Sequence, residues 1–451
     1  MWWQMKRIIY VSHDQLNTKY GGLKESNPKD DLIVLVESAR MVSGDHWNKV
    51  RLYFLLSSAA HFVKSLQDDG YSVVYQKSAT TVDGLKEVLK KYPKLPIVSA
   101  TPSSFRLKKS LADFGVKFIE NDFFLTPPDL FAQWASSQKS YLMESFYRAM
   151  RKKHNVLMDG DKPKTGQWNY DGDNRKKLPK DHKATTPLVF NNDVTEIFDQ
   201  IQKANVKTIG SIDAKHFVWP INRTQSLALL DFFVAECLPL FGSYQDAMTP
   251  NEWSLYHARI SFSMNVKMIS PKEVIDRAIQ EWENRKDEIE YNQLEGFVRQ
   301  IIGWREYMRG IYWLKMPEFA TLNFFNHNEK LPDWFWTGKT KMNCLKDAIT
   351  QSLEYAYAHH IQRLMITGNF ALLAGVHPDE VDAWYLGIYI DAIEWVEITN
   401  TRGMSQFADG CIVGTKPYVS SASYIDKMSH YCGSCYYKKS LKTGDKACPF
   451  N

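Results

Sequence analysis

Three of the chain's six cysteines fall in its C-terminal run YCGSCYYKKSLKTGDKACPFN, at Cys432, Cys435 and Cys448. Their spacing is C-x2-C-x12-C-P. A C-x2-C turn brings two thiolates to one site only if the backbone turns tightly, and Gly433 and Ser434 allow it. Proline directly after the last cysteine fits iron–sulfur runs better than zinc ribbons, and the second C-x2-C of a zinc ribbon is missing. Thiolates in this pattern point to a [4Fe–4S] cluster, with a small zinc knuckle as the alternative. A fourth ligand must then come from Cys237, Cys344 or Cys411. Cys237, in VAECLPL, reads as a buried hydrophobe. Cys344, in TKMNCLKD, reads as a loop residue just before a helix, a better position for a ligand.

A second group lies in AHHIQRLMITGNFALL. His359 and His360 are adjacent and cannot share a helix face, whereas Arg363 is four residues from one and three from the other and can neighbour either. A single helix histidine is usually structural. Two beside an aromatic-rich helix suit acid–base chemistry. Downstream, Trp384 and Asp391 are seven apart, which puts an aromatic and an acid on one helix face, and Glu397 follows in a loop. The plainer alternative makes these aromatics core and these acids solvated.

The elements that must carry these residues divide the chain in three. Residues 1–130 alternate apolar strands with helices. IIYV (8–11), LIVLV (32–36), YSVVYQ (71–76), PIVSA (96–100) and VKFIE (116–120) read as strands, and 47–66 and 81–92 as helices. That pattern predicts a doubly wound α/β domain with a parallel sheet covered on both faces. No Gly-rich dinucleotide fingerprint follows the first strand, which argues against an ordinary NAD site. Residues 131–221, polar and rich in Lys, Asp, Gly and Pro, read as an interdomain linker. Residues 222–451 read as an all-α domain, with long helices over 270–286, 294–314 and 346–375.

The chain has 451 residues, 44% hydrophobic and 14% aromatic, enough for a full core and unlike a disordered or collagenous chain. Its net charge of +5 suits nucleic acid without requiring it. Six cysteines are too few for a disulfide framework and suggest a reducing compartment. No secretory signal is apparent and no apolar run reaches the roughly 18 residues of a membrane span. The expectation is a cytoplasmic protein with no membrane partner.

Taken together, FGSYQDAM (241–248), EGFVRQIIGWREYMRGIYW (295–313), YAHHIQRLMITGNFALLAG (357–375), YIDAIEWVEITNTRGMSQFADG (389–410), KPYVSSASYI (416–425) and the cysteine tail resemble the cryptochrome/photolyase superfamily. The closest likeness is to its iron–sulfur bacterial branch, which contains the prokaryotic (6-4) photolyases. The resemblance implies an α/β antenna domain, a helical domain holding FAD, and a [4Fe–4S] cluster on Cys344, Cys432, Cys435 and Cys448. It implies flavin contacts from Ser261, Asn265, Gln300, Trp304, Arg305, Arg363, Asn369 and Asp391, with Glu397 facing flavin N5. His360 would donate a proton to the lesion with His359 beside it, from a pKa near neutral, and Tyr418 and Tyr424 would line the lesion pocket. Trp384 and Trp336, with Tyr385 as a branch, would re-reduce the flavin. Asp246 aligns with an acid linked to a divalent cation such as Mg. The partner would be UV-damaged DNA, and the enzyme a monomer in the bacterial cytoplasm.

The antenna loop departs from the family pattern. The family's GDQL reads SHDQL here, with His13 in place of glycine. The helix start GDHWNKVR carries one histidine, His46. With Asp14, Gln15 and Glu37, these residues are the candidates for a 6,7-dimethyl-8-ribityllumazine antenna. Family chains also continue past CPFN. Two other functions fit the motifs: a blue-light photoreceptor using the same flavin and relay, and a nucleic-acid-binding iron–sulfur protein similar to the primase large subunit.

Overall fold

The computed structural model describes residues 5–42, 46–250 and 252–451. The strands expected near the N-terminus form one parallel sheet. They are β1 (Arg7–Tyr10), β2 (Asp31–Ser38), β3 (Ser72–Ser78), β4 (Ile97–Ala100) and β5 (Lys117–Ile119), in the order β3-β2-β1-β4-β5. Successive side chains of a strand point to opposite faces, and the core divides accordingly. Ile8, Tyr10, Leu32 and Val34 pack with Leu85 and Val88 of α2 (Thr81–Lys91). Ile9, Val11, Ile33 and Leu35 pack on the other face with Ala59 and Leu66 of α1 (Lys49–Asp68). Both helices start on side-chain caps: Asn48 accepts from the Val50 amide and Thr80 from the Asp83 amide. The strand order reverses between β1 and β4, which is where doubly wound sheets hold ligands.

The compact units differ from the three-part division expected from sequence. The first comprises residues up to Pro127 together with Val189–Ala228 and Ile260–Ser270; the second comprises Pro128–Leu188, Leu229–Arg259 and Pro271–Asn451. The polar stretch is therefore divided between the units. The return of 260–270 is held by specific bonds: the Asn17 amide donates to the Lys267 carbonyl at 2.9 Å, and Lys267 Nζ to the Asp14 carbonyl at 2.6 Å. Such bonds join residues some 250 positions apart and leave no local pattern.

The second unit is mainly helical. Among the described residues four wider π-helical turns interrupt its helices, at Phe233–Cys237, Arg299–Arg305, Gln362–Gly368 and Thr399–Ser405, and the last three carry or adjoin candidate site residues. The long helix expected over 346–375 is broken: Asn343–Tyr355 ends at Ala356, whose φ of 51° lies in the left-handed region. The helix Pro378–Ile388 stops before Asp391, so Trp384 and Asp391 do not share a helix face. Glu397 lies within the helix Glu394–Ile398 rather than in a loop. One helical run, Arg223–Tyr244, does have the length and apolarity to cross a membrane, at mean hydropathy 1.5, contrary to the sequence expectation; more than half of that window is buried, as in a core helix.

Candidate active site

The chemistry-bearing residues of the second unit gather around Arg363, in the π turn Gln362–Gly368. Its guanidinium donates to both oxygens of Asp391, at 3.0 and 3.3 Å, and lies 3.9 Å from Glu397. It also sits 3.7 Å over the Tyr389 ring. Burial works against its charge, but Asp391, Tyr389 and Glu397 more than offset this and hold its pKa above the ordinary value. Asp391 and Glu397 are themselves buried.

The histidines stand just before this turn. His359 is buried, its backbone amide donates to Gln362 Oε1, and its carbonyl accepts from the Arg363 amide. Neither of its ring nitrogens has a hydrogen-bond partner among the described residues. Its ring stacks on that of His257, with centroids 4.5 Å apart and planes 12° apart. Burial, then the neighbouring His257, His360 and Arg363, puts its pKa well below the ordinary histidine value. His360 is exposed, yet loss of hydration and then the Arg363 charge push its pKa down to about 4. This corrects the expected near-neutral value: the ring is neutral at pH 7 and donates through one nitrogen. His257 was not singled out in the sequence, because its stacking partner is 102 positions away.

Tyr418 and Tyr424 belong to a neighbouring charged patch. Burial, then the charge of Asp246, pushes the Tyr424 hydroxyl up to about 12. Burial and then Asp171 raise that of Tyr418. Burial pushes Asp246 up to about 6, opposed by Arg175, whose Nε lies 4.0 Å away. Gln300 Nε2 donates to Gln245, beside Asp246, at 3.3 Å. Asn369 is buried and spends its amide on Ser420, donating to the carbonyl at 2.8 Å and accepting from the Ser420 amide at 3.2 Å. It thus anchors the loop between the two tyrosines. Arg305 lies 5.1 Å from the Trp395 ring, with its pKa lowered by burial to about 10, and Trp304 packs edge-on to Tyr307. Ser261 and Asn265 lie in the short helix Ser261–Asn265, which belongs to the first unit.

Of the aromatics expected to relay electrons, Trp384 and Tyr385 pack together with Tyr389. Trp384 is fully buried, 5.3 Å from Tyr385 and 5.7 Å from Tyr389. Its indole N–H donates to the carbonyl of Phe335, the residue before Trp336. The Tyr385 hydroxyl donates to the Arg363 carbonyl at 2.6 Å, tying this group to the charged centre.

The donor set suits FAD. A neutral imidazole always carries one N–H and one lone pair, and an unmade buried hydrogen bond costs about 1–3 kcal/mol. A ring system rich in carbonyls and nitrogens, placed at His359 and the Arg363–Asp391–Glu397 group, would satisfy such atoms.

Four of the cysteines, Cys344, Cys432, Cys435 and Cys448, line a second pocket, of about 360 Å³, with Tyr431 and Phe450. The C-x2-C turn closes with the Cys435 amide donating to the Cys432 carbonyl at 3.3 Å. Cys344 sits in the first turn of the helix Asn343–Tyr355, not in the expected loop. Burial raises its thiol pKa, as do the three other cysteines. Cys237 is buried and Cys411 exposed, and neither lines this pocket. Among the described residues, no group of three or more His, Cys, Asp or Glu is placed to hold a metal ion. A four-iron cubane takes four separate thiolates around its surface, and a pocket ringed by four cysteines fits that donor set. Tyr431 links this pocket to the histidines: its hydroxyl accepts from Gln362 Nε2 at 3.4 Å and donates to Asp347 at 2.8 Å.

The antenna candidates all lie in the first unit. His13 Nε2 is 3.2 Å from the Tyr75 hydroxyl, which donates to Glu37 at 2.7 Å. Asp14 accepts from Lys267 Nζ at 3.1 Å, and Gln15 Nε2 donates to the Ala100 carbonyl at 3.3 Å. Residues 43–45, which begin the expected His-bearing helix start, lie outside the described residues; His46 is exposed.

Known proteins show the same architecture. A family profile described as deoxyribodipyrimidine photo-lyase-related protein matches residues 9–217. A bacterial class III photolyase from Agrobacterium tumefaciens superposes with a TM-score of 0.61 at 17% identity, over 92% of this chain and 82% of that one. A Synechocystis cryptochrome gives a TM-score of 0.61 at 12% identity, over 91% and 83%. These two likenesses establish the fold. The curated protein named (6-4) photolyase from Agrobacterium fabrum is 40% identical over 461 aligned residues, which span 99% of this chain and 90% of that protein. Identity at that level over 99% of this chain makes it a member of the cryptochrome/photolyase family.

Proposed function

We propose that this chain is a light-driven DNA repair enzyme that reverses (6-4) pyrimidine–pyrimidone photoproducts. The observation that carries the reading is its 40% identity, almost end to end, to a protein named (6-4) photolyase. The buried Arg363–Asp391–Glu397 group beside an exposed His360 supports it. Arg363, Asp391 and Glu397 would hold the flavin ring, with Gln300, Trp304 and Arg305 as further contacts. Ser261 and Asn265 would grip its phosphate end. FAD bound there in reduced form and excited by blue light would supply the electron that the repair needs.

The residues of the chain bind, orient and move protons. Lys and Arg side chains engage duplex phosphates. The damaged dinucleotide is flipped out, at a cost of a few kcal/mol that is least for a damaged base. Tyr418 and Tyr424 wall the lesion, and Asn369 keeps their loop in place. His360 presents an N–H to the lesion, and the phosphates of bound DNA oppose the Arg363 charge and favour its protonated form. A (6-4) lesion needs that proton as well as an electron, because a hydroxyl must move back between rings. His359, buried with its ring stacked on His257, would support His360 from beside it. Trp384, Trp336 and Tyr385 would return electrons to the flavin.

Cys344, Cys432, Cys435 and Cys448 would hold a [4Fe–4S] cluster. Asp246 is the candidate for Mg, although its charged neighbour here is Arg175. By its resemblance, the enzyme acts as a monomer in the bacterial cytoplasm.

The test is product analysis. Reduced protein is mixed with an oligonucleotide carrying a single (6-4) lesion, illuminated with blue light, and scored for restored pyrimidines. A cyclobutane-dimer oligonucleotide and the His360→Ala variant run alongside. Repair of the (6-4) lesion alone, lost in the variant while its flavin stays bound, is expected. Intact flavin photoreduction with no repair would make the protein a photoreceptor; absence of flavin would move it to the primase-like class. Iron and sulfide analysis of the same preparation checks the cluster, and Cys432→Ser retaining full iron would remove that ligand set.

A further inference from the structure

The resemblance brings with it a lumazine pigment in the α/β unit, and the side chains at that place do not fit one. We propose that this chain closes the pigment site with its own residues, His13, Tyr75, Glu37 and Lys77, and works without 6,7-dimethyl-8-ribityllumazine. The inference rests on the repair reading only for the expectation of a pigment.

The closure is written into the sheet register. Glu37, near the end of β2, is the direct cross-strand partner of Lys77 on β3, and Leu35 is that of Tyr75. Glu37, Lys77 and Tyr75 therefore lie on one face of the sheet, with Tyr75 diagonal to Glu37. Both carboxylate oxygens are taken: Oε2 accepts from the Tyr75 hydroxyl at 2.7 Å, and Oε1 pairs with Lys77 Nζ at 3.1 Å. The Glu37 side chain is only 11% exposed. The acid that would recognise a pigment is thus already hydrogen-bonded to the phenol, paired with Lys77 and largely covered.

His13 completes the plug. A glycine here would leave space beside Tyr75. The imidazole fills it, buried, edge-on to the phenol with ring centroids 5.9 Å apart and planes at 71°. Its Nε2 contacts the same hydroxyl that Glu37 holds. Admitting a flat bicyclic ring would mean displacing an imidazole and a phenol together, leaving the Glu37 carboxylate without the phenol and that phenol without its acceptor. The rest of the loop is committed as well. Asp14 accepts from Ser12 and Lys267, and Gln15 is bonded to the Ala100 and Thr101 carbonyls.

The experiment is pigment uptake in the dark. Full-length protein is incubated with excess 6,7-dimethyl-8-ribityllumazine and desalted. Lumazine released by acid is then measured by fluorescence against released flavin. The wild type is expected to keep its flavin and almost no lumazine. His13→Gly and His13→Gly/Tyr75→Ala, with flavin content and circular dichroism as folding controls, are expected to bind at least about tenfold more tightly, equivalent to about 1.4 kcal/mol. Stoichiometric lumazine on the wild type would overturn the proposal. So would folded variants that gain nothing, because the named side chains would then not be what closes the site. If both variants fail to fold, wavelength dependence decides: wild-type flavin photoreduction with lumazine present should follow flavin absorption alone, and an added lumazine band would overturn the proposal. Uptake is read without light or DNA, so its failure and a failure of repair are separate results.

Discussion

Trp384 shows how much a single buried side chain can be asked to do. It is fully buried among Phe335, Tyr385 and Tyr389, and its indole N–H is spent on the Phe335 carbonyl. Its aromatic neighbours lie edge-on to it, and Phe335 directly precedes Trp336 in the chain. Trp384→Phe keeps most of the packing and removes the oxidisable indole. We expect flavin photoreduction to fall at least tenfold, with repair by chemically pre-reduced enzyme retained. Photoreduction at the wild-type rate, followed by flavin absorbance under blue light, would take Trp384 out of the relay. The plainer reading of Trp384 as a core residue is met by its burial, and a relay role would use the same side chain.

The π turns do at the level of elements what no single residue does. Each admits an extra residue into a helix and shifts the side chains that follow, a feature found often at functional sites. Of the three at candidate site residues, Gln300, Trp304 and Arg305 lie in one, Arg363 in the second, and the third directly follows the helix of Glu397. The second and third meet at Gly368 and Ser405, and Gln406 donates to the Gly368 carbonyl at 3.0 Å. A Cβ on Gly368 would lie 2.8 Å from the Arg363 carbonyl oxygen and would strike the Ser405 hydroxyl. The hydroxyl can rotate away, but the carbonyl belongs to the turn that carries Arg363. Gly368→Ala is therefore expected to destabilise the protein by about 1–3 kcal/mol, the usual range for overpacking, and to loosen flavin retention. Thermal melts and flavin content check this. An unchanged melting temperature with full flavin would mean that the turns do not need that close approach.

Over the whole molecule, histidines whose pKa lies below the ordinary value set an acid limit. Burial is the leading cause in each case, and it lowers His13 and His360 to about 4 and His257 to about 3, from an ordinary 6.5. The unfolded chain therefore takes up protons first as pH falls. Stability is complete above about pH 6.5 and drains away toward the folded pKa values, by at most about 1.4 kcal/mol per pH unit for each group. Exposed His360 contributes less, because solvent screens it. Burial raises Asp246, Asp382 and Asp409 to about 6, and these acids work in the opposite direction over the same window. The histidine effect is therefore read against a His257→Asn variant: between about pH 6.5 and 5 the melting temperature of the parent should fall further than that of the variant. Equal falls in the two proteins would contradict the burial of His257.

The sequence by itself determined the sheet, the helical half, the cysteine pattern and the His–His–Arg group. Periodicity and short spacings are local, and local patterns survive in one dimension. All five strands form near their expected positions because continuous apolar runs have no other stable home. The tertiary structure alone decided what depends on distant partners. Residues 260–270 join the first unit, His257 stacks on His359, and Asn369 is bound to Ser420. It also turned Glu37 from a free acid into one claimed by Tyr75 and Lys77, because register across β2 and β3 sets that pairing. Hydrogen bonds and stacking act over a few ångströms, and only the folded chain brings residues hundreds of positions apart within that reach.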